Sequence, residues 1–223
     1  MKNLIIVGAS AFAEVAFEYF SKDTDYEPVC FSVERNYISE NSKLGLPVIA
    51  VEDLTEKFDI KNTHFFVAIP YPELNRLRER LYLNLKSIGF KPASYISSKA
   101  NVWDNVKIGD HCFIFEGNNI QPFVTIGCNV ILWSGNHIGH HSNIENNVFI
   151  SSHVVVSGFC SIGANSFIGV NATIADRVKI GRDNFIGSAA NILKDTQENS
   201  VFQTSMTEVH RISAKRLFKV KDV

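Results

Sequence analysis

The sequence predicts two architectures in one chain: a small parallel α/β domain over residues 1–90 and a parallel β-helix over residues 96–204, followed by a cap over residues 205–223. Three observations carry this. Every sixth residue from Ile96 to Ile192 is aliphatic, the residue two places before it is nearly always small, and the opening ninety residues alternate short apolar runs with helical patterns.

In the first ninety residues, Lys2 to Ser10 reads as a short apolar strand entering a turn at Gly8, and Ala11 to Ser21 has helical spacing with Val15, Ala16, Tyr19 and Phe20 on one face. Val29–Phe31 and Pro47–Ile49 read as further strands, a helix starts near Glu52, and His64–Ile69 is another strand. Pro72 to Ile88 is a basic amphipathic helix, and Lys91 to Lys99 is the junction. Strands alternating with helices imply a small parallel, Rossmann-like sheet. A strand, a glycine turn and a helix form the place where a phosphate sits on helix N–H groups. Only Gly8 remains of a glycine-rich loop, with Ala11 and Ala13 after it, so a purely structural turn fits equally well.

The second part is carried by its period. Stepping by six from Ile96 meets only isoleucine except at Val102, Leu132 and Val156. The position two residues earlier, from Ala100 to Ala190, is Ala, Val, Ser or Cys except at Asn118, Asn136 and Asn184. Period two puts both positions on one inward face of a short strand. Six residues are then one strand and one corner, and the frequent glycine after the aliphatic residue is expected to serve a tight corner. Three units close a triangular coil, so residues 18 apart stack at roughly the 4.7–4.9 Å strand spacing. About five coils fit between residues 96 and 192. The stretch Ser205 to Val223 carries Arg211, Lys215, Arg216, Lys219 and Lys221 among apolar residues and is expected to cap the last coil as a short strand or helix.

The balance of 22 basic against 23 acidic residues argues against nucleic-acid binding. Leu4–Val7 is far too short to span a bilayer, no secretory leader pattern is visible, and the four cysteines have neither CxxC nor zinc spacing, which suits buried thiols. A cytoplasmic protein without membrane insertion is the expectation.

The chemistry is expected at histidines. His111, His137, His140, His141 and His153 lie in the repeat, and since Ile138 points inward, His137 points out while His140, His141 and His153 occupy corners. A single imidazole there can take a proton from an attacking amine or hydroxyl. Three imidazoles from neighbouring subunits could instead bind zinc with an open position, as in a lyase of the γ-carbonic-anhydrase type, although HxxHH is not a helical zinc spacing. A non-catalytic trimeric scaffold is a third reading.

The Leu4-to-Ser10 opening, the Phe66–Ile69 strand with Arg76 in the next helix, the six-residue repeat and Ile138-Gly139-His140 together resemble the hexapeptide-repeat sugar O- and N-acyltransferases, which include sialic acid O-acetyltransferases and bacillosamine-pathway UDP-amino-sugar N-acetyltransferases. The resemblance spans almost the entire chain. It implies a left-handed β-helix, a homotrimer, and acetyl-CoA in the groove between adjacent prisms. It implies acetyl transfer to the amino group of a nucleotide-linked amino sugar for surface polysaccharide biosynthesis, or O-acetylation as in the sialic acid enzymes, with no metal. His140 matches the general base, and Gly158 matches a glycine whose backbone contacts the acyl-CoA. Val170 and Ser188 match the pantetheine groove, Ser188 replacing a glycine, and Phe149 stands where a histidine contacts the cofactor. In the α/β domain, Gly8, Ser10 and Glu34 match the acceptor or nucleotide site. Ser32-Val33-Glu34 follows the second strand where the family has paired aspartates, and Pro70 replaces a glycine. His141 stands where the family has an acidic residue, which leaves His141, His137 and Glu145 as candidates to orient His140.

Overall fold

The computed structural model describes residues 1–220; Lys221 and the last two residues of the expected cap lie outside the described residues. The first unit contains β1 (Lys2–Val7), α1 (Ala11–Asp23), β2 (Tyr26–Val33), β3 (Ser42–Lys43), β4 (Leu46–Ala50), α2 (Leu54–Lys57), β5 (Thr63–Val67), α3 (Arg76–Ile88) and β6 (Lys91–Pro92). The sheet order is β3-β4-β2-β1-β5-β6, parallel throughout except for the β3–β4 hairpin at one edge. Successive residues of the central strand serve different layers. Leu4 and Ile6 pack with Phe12, Ala16 and Phe20 of α1, whereas Ile5 and Val7 pack with Leu81, Tyr82 and Leu85 of α3.

Two expected helices are shorter than their patterns. The helix near Glu52 is a 3₁₀ turn at Val51–Asp53 followed by the single turn α2. The helix expected from Pro72 begins only at Arg76, because Glu73, Leu74 and Asn75 are left-handed, with φ of 52°, 50° and 71°. Tertiary contacts hold that bend: the Asn75 amide donates to the carbonyls of Asn165 (2.9 Å) and Ser166 (3.3 Å) on the β-helix.

From Tyr95 onward, two-residue strands form a three-sided parallel prism whose pairing steps by 18, as in Phe113 with Ile131, His137 with Val155 and Asn143 with Ser161. The aliphatic residues of the six-step register, and the small residues two places before them, are buried from Cys112 onward. Asn118 and Asn136 sit in the core because they close a ladder: Asn136 donates to Asn118 Oδ1 (3.1 Å) and accepts from Val154 N–H (2.8 Å).

The corners follow a rule the sequence reading did not contain. Every sixth residue from His111 to Ala189, three places after the aliphatic residue, has a left-handed backbone. Asn, Asp, His and Gly tolerate this best, and they hold most of these positions. The glycine directly after the aliphatic residue serves another purpose. A Cβ on Gly139 would lie 2.4 Å from the Ser157 carbonyl carbon, so glycine here permits close approach of coils. The prism therefore has three edges of left-handed residues: Gly117, Gly135, His153, Asn171 and Ala189 on the first; Phe123, His141, Phe159 and Arg177 on the second; His111, Asn129, Asn147, Asn165 and Asp183 on the third.

The α/β unit docks on the first face and the third edge. Outward residues Tyr95, Phe113, Phe149 and Phe167 form an aromatic band along the first face, and Phe12, Tyr19 and Phe20 of α1 pack against its beginning. Along the third edge, the fully buried Arg78 guanidinium donates to Asn129 Oδ1 (3.1 Å), to the carbonyls of Asn129 (3.2 Å) and Asn147 (2.9 Å), and to the carbonyl of Pro70. Glu79 accepts from Asn147 (2.7 Å) and Asn165 (2.9 Å), and Arg76 pairs with Asp183 (2.5 Å).

The segment expected to cap the prism does not bury anything in this chain. The described residues from 205 to 220 are exposed around a one-turn helix at Ala214–Leu217, and the last coil is closed by Phe202, whose strand pairs with Phe185–Ile186. Among the described residues, no helix is long and apolar enough to cross a membrane.

His111 joins the two units: its Nε2 accepts from Val67 N–H (2.8 Å), so Nδ1 carries the hydrogen and donates to Asn129 Oδ1 (2.8 Å). Burial pulls its pKa from 6.5 down to about 3. The folded state keeps His111 neutral while the unfolded chain protonates below about pH 6.5. This contribution to stability is complete above that pH and is lost at about 1.4 kcal/mol per unit as pH falls toward 3. Urea unfolding from pH 7 to 4 should show that slope, and His111→Gln, which keeps an acceptor for Val67, should flatten it.

Candidate active site

The expected site residues fall into three places. At the carboxyl ends of β1, β2 and β5, where the strand order reverses, a cavity of about 380 Å³ is lined by Gly8, Ser10, Ser32, Glu34, Pro70 and Arg80, among others. All three residues expected at an acceptor site, Gly8, Ser10 and Glu34, line it. Gly8 has φ of 124°, and a Cβ there would meet the Ala68 carbonyl oxygen at 2.8 Å, so no other residue fits the turn. Ser10 begins α1 with no cap bond from its hydroxyl, which leaves the hydroxyl and the helix amino end facing the cavity. Glu34 is engaged by Arg80 through two bonds of 2.9 Å, which lower its pKa. The sequence reading missed Arg80. Its signal was its place on the helix that follows the fourth parallel strand, at the same end of the sheet.

The second place is a groove of about 360 Å³ lined by Pro70, Tyr71, Trp133, Phe149, Phe167, Ser151, Ser152, Val170 and Ser188. Three of the four residues expected to hold acyl-CoA, Phe149, Val170 and Ser188, come together here at the first edge. Tyr71 was also missed: its ring lies 5.1 Å from Phe149 and 4.6 Å from Phe167, carried there by the left-handed bend before α3. Pro70 lines both this groove and the first cavity.

The third place is the second edge. His140 is exposed, its N–H donates to Gln121 Oε1 (2.9 Å), and its ring lies over Gly158 one coil on. A Cβ on Gly158 would lie 3.0 Å from His140 Nε2 and 3.2 Å from Asp176 Oδ1. The fourth residue expected at acyl-CoA thus sits with the imidazole, on a different edge from the other three. Of the residues considered for orienting His140, only His141 touches it, Nδ1 to Nδ1 at 3.2 Å. His137 lies on the second face beside Asn119 (3.4 Å), and Glu145 accepts from Ala164 N–H (3.0 Å) at the third edge. His153 is on the first edge, and its ring packs over Gly135. Among the described residues no three of His, Cys, Asp and Glu converge as metal ligands.

Two family models match the chain: the PglD N-terminal domain over residues 3–85, and the bacterial transferase hexapeptide (six repeats) over residues 159–194. Both bear out the resemblance read from the sequence. The acetyltransferase domain of PglB from Neisseria gonorrhoeae superimposes with TM-score 0.81 at 23% identity, over 90% of this chain and 96% of that one. That domain has also been solved with acetyl coenzyme A. PerB from Caulobacter crescentus, solved with CoA and GDP-perosamine, superimposes with TM-score 0.78 at 22% identity, over 90% and 93% of the two chains. A comparison with curated proteins finds no match. The fold expected from the sequence, a Rossmann-like unit followed by a left-handed parallel β-helix, is the fold of these structures.

The contact at Gly158 makes a prediction. Gly158→Ala should leave the melting temperature within a few degrees, because the crowding falls on an exposed ring, while the His140 Cε1–H resonance moves. An unmoved resonance would show that the ring does not rest on Gly158.

Proposed function

We propose that this chain is an acetyl-CoA-dependent acetyltransferase that acylates the amino group of a nucleotide-linked amino sugar, for surface polysaccharide synthesis. The observation that carries the reading is Pro70, the wall shared by the switch-point cavity and the aromatic groove. A nucleotide held at Gly8, Ser10 and the amino end of α1 has its sugar directed past Pro70 into the groove where the acyl donor lies. The relatives with acetyl coenzyme A and with GDP-perosamine support both ligands.

His140 is the general base. Its Nε2 takes a proton from the acceptor amine as the nitrogen attacks the thioester carbonyl carbon. The Gly158 backbone N–H offers a donor to the carbonyl oxygen as it gains charge. Collapse breaks the carbon–sulfur bond, and the proton held by His140 passes to the departing thiolate. Because His140 and Gly158 occupy the second edge while Phe149, Val170 and Ser188 line a groove at the first, one site draws its base and its groove from two neighbouring chains of a homotrimer. Transfer to nitrogen is favoured over the O-acetyl alternative because the structure similar to this chain that holds CoA and GDP-perosamine is a perosamine N-acetyltransferase. The reading also implies a cytoplasmic enzyme, since nucleotide sugars and acetyl-CoA are made there.

Thiol release from acetyl-CoA in the presence of a panel of nucleotide-linked amino sugars tests the reading, with acceptor-dependent release expected. His140→Ala should lower kcat by roughly 10²–10⁴-fold while acetyl-CoA still binds. Full activity in that variant would remove His140 from the reaction.

A further inference from the structure

We infer that His141, clamped in a stack of rings along the second edge, is the positioning residue that orients His140 and sets its tautomer. The inference rests on the reading of His140 as general base and names what replaces the acidic residue usual after that histidine.

The four left-handed positions of this edge are Phe123, His141, Phe159 and Arg177, each one coil of 18 residues beyond the last. The His141 imidazole lies between the rings of Phe123 (4.6 Å, 28°) and Phe159 (4.8 Å, 17°), and the Arg177 guanidinium covers the outer face of Phe159 at 4.3 Å. This arrangement is costly locally. Phe123, Phe159 and Arg177 have φ of 66°, 57° and 62°, a conformation that suits Asn, Asp, His or Gly, and elsewhere only Ala189 departs from that set among the left-handed corners of the repeat. Phe123 and Phe159 are also exposed, 58% and 41%, so core burial does not explain them. Bulky residues in an unfavourable backbone are thus concentrated on the one edge that carries His140, and what they build there is a fixed plane for His141.

The plane matters because of one hydrogen. His140 Nδ1 and His141 Nδ1 are 3.2 Å apart, so one of them donates. If His141 donated, His140 would carry its own hydrogen on Nε2 and could accept nothing from the substrate there. His140 serves as base through Nε2 only when its Nδ1–H donates to His141, which then carries its hydrogen on Nε2. A clamped acceptor at His141 Nδ1 therefore holds the His140 ring in place, keeps the lone pair on Nε2 and shares the charge when the proton arrives.

The test uses His141→Ala and His141→Asn in the full-length protein, with melting curves to establish folding. Asn tolerates the left-handed backbone and places its Oδ1 where the Nδ1 acceptor was. His141→Ala should lower kcat by roughly 10–100-fold with the KM for acetyl-CoA little changed, and His141→Asn should recover most of the loss. Nitrogen chemical shifts should report His140 as the Nδ1–H tautomer in the wild type and a shift toward Nε2–H in His141→Ala. An Nε2–H His140 in the wild type, or His141→Asn no better than His141→Ala, would overturn the inference. Failure of the base assignment is separable: His140→Ala would then keep full turnover, while the tautomer measurement would still report whether the two rings are bonded.

Discussion

The structure depends on one backbone constraint. From His111 to Ala189 each six-residue step turns its corner through one left-handed residue, and every coil places its aliphatic residue inward and its corner in register with the next, 18 residues on. Once that is satisfied, side chains at equivalent corners form columns down the three edges. A column is an unusually rigid display, since each member is flanked at strand spacing by the residues of the coils on either side. The chain has given each of its three columns a different chemistry.

The third edge is the anchor. Its His111–Asn129–Asn147–Asn165 column presents amides and carbonyls at regular intervals, and the α3 side chains Arg78 and Glu79 match that interval. Arg78 is buried without a bonded carboxylate, and desolvation brings its pKa down to about 9. It remains charged at neutral pH, and its charge is spread over carbonyl oxygens from both units, including those of Ile69 and Pro70. A buried cation tolerated on those terms holds the Pro70–Tyr71 loop against the prism. That loop is the wall between the switch-point cavity and the groove, so the anchor also fixes the cavity and the groove relative to each other.

The first edge carries Gly117, Gly135, His153, Asn171 and Ala189, and the groove lined by Ser152, Val170 and Ser188 lies directly beside its last three members. The second edge is aromatic and strained. On the proposed mechanism these two edges act in different copies of the chain, which explains why the groove residues and the imidazole do not meet within one prism. Separating them lets each edge keep the side chains its own task requires.

The sequence by itself determined the prism. An aliphatic residue at every sixth position has no other economical burial, and from Cys112 onward its phase alone predicted which side chains are inside, down to the buried asparagines at 118 and 136. It also located the strand–glycine–helix turn at Gly8 and the corner position of His140, because these depend on local pattern. What only the tertiary structure decided is how residues from different periods meet. Histidines close in sequence separate onto different edges, His153 from His140, because one strand and one corner rotate the chain by a third of a turn. His111, His141 and His153 stand at corners for a backbone reason that no composition count reveals. Arg78 and Tyr71 acquire their roles from docking, Arg80 from the packing of α3 beside the end of β2, and the helix pattern that began at Pro72 yields to docking, since contacts with Asn165, Ser166 and Asp183 outweigh the local preference of residues 72–75. Periodicity is a property of neighbours along the chain, whereas docking depends on which columns face each other in space.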